Sequence, residues 1–289
     1  MKRLYLFLLF ALPGFSLLAQ DFEKLTDSYL GINAYGFTQP AVDVFSGMVN
    51  TGLHSEINIP EKLYFKIDLI GSAAFMSENQ KTFTAKTDES FAPYQEVQAP
   101  TIVGPNEPIA VTGNGGATYV FPGGLGLTYV PVATPQVTVG GIYGTELLLR
   151  FMAVDIKDKI GKVQFLGIGV RHDIGQYFTN GAVDLSFGYY YQNFKVASYL
   201  NNSNHYFELA VGKTFSILDL YAMIGYQASS MHVTYQNNDE SNNVDFTLDA
   251  KSSLRGGIGI GLDFSLLHFF VEGHYANQLV ATAGLGFKF

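Results

Sequence analysis

At 289 residues, with 17 basic against 25 acidic side chains, the chain lacks the basic footprint of a nucleic-acid binder. Without a cysteine it can form no disulfide, no thiolate zinc site and no thiol nucleophile. Charged residues make up 15%, where a soluble domain carries about 25%, and another 15% are aromatic, all of them Tyr or Phe.

Lys2 and Arg3 precede an apolar stretch, 4–12, that Pro13 and Gly14 break, and Leu17-Leu18-Ala19-Gln20 supplies a small residue for cleavage. This is the anatomy of a secretory signal peptide over 1–19, too short for a membrane-spanning helix. Losing it would take the net charge from −8 to about −10. No later apolar run is long enough for a transmembrane helix. Segment 20–60 shows no long alternation, and Gly31, Gly36 and Gly47 argue against a helix. It reads as an N-terminal plug-like or lid segment, or else as a first strand.

From residue 61 onward a period of two takes over. Leu63, Phe65, Ile67 and Leu69 oppose Tyr64, Lys66, Asp68 and Ser72. Leu185, Phe187, Tyr189 and Tyr191 oppose Asp184, Ser186, Gly188, Tyr190 and Gln192, and Phe207, Leu209 and Val211 oppose Glu208, Ala210 and Gly212. Leu220, Ile224 and Tyr226 oppose Asp219, Gln227 and Ser229. Leu254, Ile258, Ile260 and Leu262 oppose Arg255 and a series of glycines, and Phe269, Val271 and Tyr275 oppose His268, Glu272 and His274. Successive strand side chains point to opposite faces. Strands of about ten residues, greasy on one face only, are the mark of a membrane barrel; a soluble sandwich uses shorter ones. The expected fold is all-β, an antiparallel transmembrane β-barrel of about 10–12 strands over 61–289, with glycines on a crowded inner face.

Two stretches break the rhythm. Residues 77–116, rich in Pro, Gly, Asn and Thr, read as a functional or disordered loop, and 234–247 as a second polar loop. Short turns are expected near Leu218-Asp219, Leu266-Leu267 and Asn277-Gln278, all at the periplasmic end. The last strand carries Leu279, Ala281, Ala283, Leu285, Phe287 and a terminal Phe289 in one stripe. That ending resembles the signal by which bacterial outer-membrane barrels are recognised by their assembly machinery.

Candidate chemistry is thin. Asn50, His54 and Ser55 invite a barrel-lipase reading, but adjacent strand residues diverge, which separates His54 from Ser55. His172-Asp173 reads as a strand end. His268, Glu272 and His274 share a face and could ligate a metal, although a polar lumen lining explains them better. Lys66, Asp68, Glu146 and Arg150 also lie on inward faces, since charge facing lipid is costly. These seven residues form the expected lumen lining, with no catalytic group, metal or cofactor assigned.

The blocks PVATPQVTVGGIYGTELLLRF (131–151), LGIGVRHDIGQYF (166–178) and GMVNTGLHSEI (47–57) resemble an uncharacterised family of Bacteroidetes outer-membrane proteins, itself similar to long-chain fatty acid transporters. The resemblance implies a bacterial outer-membrane barrel, embedded in lipid, that binds or passes a small hydrophobic compound. The alternative is a non-transporting scaffold or secretion-accessory barrel whose loops bind a partner. Neither reading makes the chain an enzyme.

Overall fold

The computed structural model describes residues 32–156, 161–178, 182–235 and 244–289. The signal-peptide expectation, 1–19, lies outside them. Barrel strands run through β1 (Tyr64–Phe75), β6 (Tyr129–Ile142), β7 (Thr145–Ile156), β8 (Gly161–Asp173), β9 (Asp184–Val196), β10 (Leu200–Phe215) and β11 (Leu218–Tyr235). They continue through β12 (Val244–Asp249), β13 (Leu254–Asp263), β14 (Leu267–Tyr275) and β15 (Leu279–Lys288). Every pairing is antiparallel, and β10–β11 and β1–β15 close the sheet on itself. Strands β12 and β13 pair with successive stretches of β11, so they occupy one position in a ten-position ring.

The alternation read from the sequence sets inside and outside. In β1, Lys66, Asp68, Ile70, Ser72 and Ala74 are buried, while Phe65, Ile67 and Leu69 are exposed. The same division holds for Glu208 and Ala210 against Phe207, Leu209 and Val211, and for Arg255 against Leu254 and Ile258. Inward aromatics lie across glycines of neighbouring strands. A Cβ on Gly225 would stand 2.3 Å from the Tyr206 ring, and one on Gly259 would stand 2.2 Å from Tyr221. The glycines of the inner face therefore make room for rings.

At the base of the barrel lie Leu63, Phe289 and residues 143–144, 174–178, 182–183, 216–217 and 264–266; at the mouth lie residues 76–128, 197–199 and 276–278. Exposed Tyr143, Phe178, Phe215 and Phe264 ring the base, and Phe75, Tyr129, Tyr226 and Tyr275 ring the mouth. Between Phe65 and Phe75 a strand rises about 33 Å, or about 25 Å along an axis tilted by about 40°. That matches the height of the apolar band on a lipid-embedded barrel.

Four expectations are corrected. Residues 77–116 are not an irregular loop: hairpins β2 (Thr82–Lys86) with β3 (Glu96–Pro100) and β4 (Ile109–Thr112) with β5 (Thr118–Phe121) build a cap over the mouth. Ala85, Ala99, Ile102, Val103 and Phe121 bury a small core there against Phe37. Strands this short leave too little alternation to read between prolines. The second polar loop is shorter than 234–247, because its ends belong to β11 and β12; residues 236–243 lie outside the described residues. The turn at Asn277-Gln278 sits at the mouth, because β14 has already climbed the wall from the basal turn 264–266. The turns near Leu218 and Leu266 do lie at the base.

The largest correction is helix α1, Ile32–Val49, which holds Gly36, Pro40 and Gly47 inside it. Propensity disfavours it, and packing overrides propensity. A Cβ on Gly47 would stand 2.8 Å from Gln278 Nε2, and one on Gly36 would stand 2.2 Å from the Phe83 ring. Both glycines let the helix approach its surroundings closely. The first-strand alternative for 20–60 is thereby excluded for residues 32–49, and the plug-like reading stands.

Candidate functional site: the occupied lumen

The inward side chains converge on the chain's own N-terminal segment. At the mouth, α1 presents Val42, Val44, Phe45, Met48 and Val49 to Met152, Phe165, Phe194, Met231, Val233 and Leu248 of the wall. Phe45 stacks on Phe194, with ring centroids 5.0 Å apart. Asp43, the acid of this layer, accepts from Lys251 N–H at 2.8 Å and from Asn277 Nδ2 at 2.7 Å. Burial nonetheless raises its pKa above the ordinary carboxylate value.

At Val49 the helix ends, and Gly52 (φ +63°) turns the chain into an extended run through the lower lumen. A helix leaves its last carbonyls without partners, and its C-terminus carries partial negative charge. Two wall arginines meet both needs. Arg255 Nη1 donates to Gly47 O at 3.1 Å, and Arg150 Nη1 donates to Val49 O at 3.0 Å. Arg150 Nη2 also reaches Thr51 O (2.8 Å) and Gly52 O (2.5 Å), while its Nε donates to Gln136. Wall arginines are thus joined to the segment through backbone carbonyls that no side-chain substitution within the segment can remove.

Below this, each step of the segment has a wall partner. The hydroxyls of Thr51, Ser72 and Thr282 bond one another at 2.8–2.9 Å. Gly52 N–H donates to Glu272 Oε2 at 2.8 Å, and His54 Nδ1 lies 3.2 Å from Glu208 Oε1. Ser55 and Glu56 each accept from Lys66 Nζ at 3.3 Å. Glu56 also accepts from Lys288 at 2.7 Å, and Ile57 O accepts from Arg171 Nη1 at 3.3 Å. Contacts from residues 47–57 thereby reach β1, β7, β8, β10, β13, β14 and β15. Only a segment running down the barrel axis can do this.

All seven sequence-named lining residues are buried inside the barrel. Lys66 meets Glu56 and Glu146; Glu146 also accepts from Arg171 Nε at 2.8 Å and Tyr64 OH at 2.5 Å. Asp68 pairs with His268, and Glu272 with His274 (2.8 Å) and Tyr221 OH (3.1 Å). His268 and His274 therefore serve separate carboxylates, and no group of three or more metal-ligating residues occurs among the described residues. Asn50 bonds Ser46 O and Gln227, His54 faces Glu208 and Ser55 faces Lys66, so no His54–Ser55 couple forms. His172 bonds Thr145 at the base. The residues missing from the sequence-derived set are Arg171, Glu208, Arg255, His54 and Glu56. Glu208 and Arg255 already lay on inward faces of the alternation. Arg171 stood one place before the noticed His172, and the partnership of His54 and Glu56 with the wall depends on threading that has no period.

One family model matches the whole chain, residues 1–289: a family of unknown function, DUF6588. The chain belongs to that family. No curated protein matches it. Among solved structures it is similar to the N-terminal β-barrel domain of OprF from Pseudomonas aeruginosa, at 17% identity, covering 50% of this chain and 96% of that one, with TM-score 0.27. It is also similar to OmpF of Salmonella typhi in complex with daunomycin, at 10% identity, covering 79% and 97%, with TM-score 0.25. The β domain of the Bordetella autotransporter BrkA matches at 11% identity, covering 78% and 98%, with TM-score 0.32. The fold of this DUF6588 chain rests on its own strand pairing and not on those likenesses.

Proposed function

We propose that this DUF6588 chain is an outer-membrane β-barrel of a two-membraned bacterium, closed by its own N-terminal segment and acting as a non-transporting scaffold whose mouth binds a partner. The exterior supports the location: an apolar band of about 25 Å between two aromatic belts. The observation that carries the scaffold reading is the run of wall contacts along 47–57, in which Arg150, Arg255, Arg171, Lys66 and Glu272 all hold the segment.

One observation favours passage of a hydrophobic compound instead. The mouth half of the lumen is apolar, with Phe165, Phe194, Met231 and Leu248 in its wall. The two readings separate in planar bilayers and in dye uptake. Full-length protein should be electrically silent, and cells carrying it should take up no more hydrophobic dye than cells without it. A steady conductance, or dye uptake that rises with expression, would replace the scaffold by a transporter.

A further inference from the structure

Among the described residues, strand β12 has a neighbour on one side only. It pairs with β11 along Ser230–Tyr235, and its other edge is the end of the barrel sheet. The adjacent hairpin β14–β15 turns back at 276–278, so the wall is notched beside β12. Three bonds fix where the backbone groups of β12 point. Ala250 N–H donates to Ser229 O at 2.9 Å, which turns the even-numbered residues toward β11. Asp249 O accepts from Gln39 Nε2 at 2.8 Å, and Lys251 N–H donates to Asp43 Oδ1 at 2.8 Å, both on the opposite side. Backbone groups alternate in direction along an antiparallel strand. Residues 245, 247, 249 and 251 therefore face the notch, and α1 satisfies two of their groups. The amide and carbonyl groups of Asp245 and Thr247 have no hydrogen-bond partner among the described residues.

The notch has a floor and a far side. Tyr35, Gly36 and Gln39 of α1 line a pocket whose other flank is Thr82 and Phe83 of the cap, with Lys251 at its near end. The side chains of Asp245, Thr247 and Asp249 are exposed. A row of unpaired backbone groups is a template for another strand. Two carboxylates along it oppose pairing with a second copy of itself, because like charges across a strand pair are destabilising. The same carboxylates attract basic side chains.

We infer that the β12 edge docks an extended segment of another protein that carries Lys or Arg at alternate positions and adds to the wall as a further strand. The main-chain bonds would give affinity, and Asp245 and Asp249 would select the charge. This deepens the scaffold reading by stating the partner's chemistry, while its test is independent of whether the lumen conducts.

The probe is a capped decapeptide alternating lysine and threonine, titrated onto full-length protein in detergent micelles. Controls are the same peptide N-methylated at alternate amides and a glutamate–threonine counterpart. Thr247→Pro removes an N–H that faces the notch and leaves the bonds to β11, a placement that edge strands accept. The lysine peptide should bind, and Thr247→Pro and N-methylation should each weaken it about tenfold or more, roughly the loss of one or two main-chain bonds. Asp245→Lys with Asp249→Lys should reverse the preference between the lysine and glutamate peptides. Equal binding of the N-methylated peptide would reduce the effect to charge attraction and overturn the inference. So would equal binding of both charge types, or no binding of either.

Discussion

The two halves of the lumen are filled by one continuous segment in two different ways. Near the mouth a helix presses Val42, Val44, Phe45 and Met48 into an apolar wall. Near the base the irregular run after the helix is held by Lys66, Arg171, Glu272 and Glu208 through charged side chains and backbone N–H and C=O groups. Apolar contact is non-directional, and it excludes water over an area. Buried charge is directional, and it tolerates one geometry. The mouth half therefore acts as the seal, and the base half sets the register in which the segment lies.

The comparison is broken most forcefully at Glu146, which meets Arg171, Lys66 and Tyr64 at once. Glu146→Ala leaves two buried cations short of a partner and should cost about 3–5 kcal/mol, read as a lower midpoint in urea or heat-modifiability gels. Adding Arg171→Met should recover part of that loss; an unchanged deficit in the double variant would show that the pair is not the unit. In the mouth half, Met48→Ala should cost about 2–5 kcal/mol by opening a cavity, with the loss insensitive to salt. A loss that varies with ionic strength would place charge where none has been assigned. On the outer surface, Ile224→Arg should cost about 2–4 kcal/mol, because that side chain faces the middle of the lipid band. Tolerance of Arg there would reverse the assignment of inside and outside.

The smallest effect is that of pH on the mouth half. Burial raises the Asp43 pKa, so the folded state binds a proton more readily than the unfolded one. Stability contributed by that site is then greatest at low pH, and it falls as pH rises from the ordinary carboxylate range through the raised value. Asp43→Asn should flatten this slope in the same unfolding assay, and an unaltered slope would exclude Asp43 as its source.

The wall was legible in the sequence because a strand repeats every two residues and lipid imposes apolarity on one face. Phe207-Glu208-Leu209 and Leu254-Arg255 each state their own orientation. Helix α1 was not legible: Gly36, Pro40 and Gly47 argue against a helix locally, and their reason lies in Phe83 and Gln278, distant in sequence. The cap was hidden by strands of four or five residues between prolines. Lys66, Asp68, Glu146, Arg150, His268, Glu272 and His274 are buried. Their partners were not foreseeable, since Arg150 bonds to backbone carbonyls of Val49, Thr51 and Gly52, and any residue type offers those.

The central claim is that the N-terminal segment threads the lumen, and the absence of cysteine makes it directly testable. The hydroxyls of Thr51 and Ser72 lie 2.9 Å apart, inside the barrel, while Ala73, the next residue, faces outward in the strand alternation. Thr51→Cys paired with Ser72→Cys should oxidise to a disulfide in membrane-inserted protein, seen as a shift in gel mobility that reductant removes. Thr51→Cys paired with Ala73→Cys should not. A disulfide in both pairs, or in neither with the barrel folded, would contradict the threaded lumen.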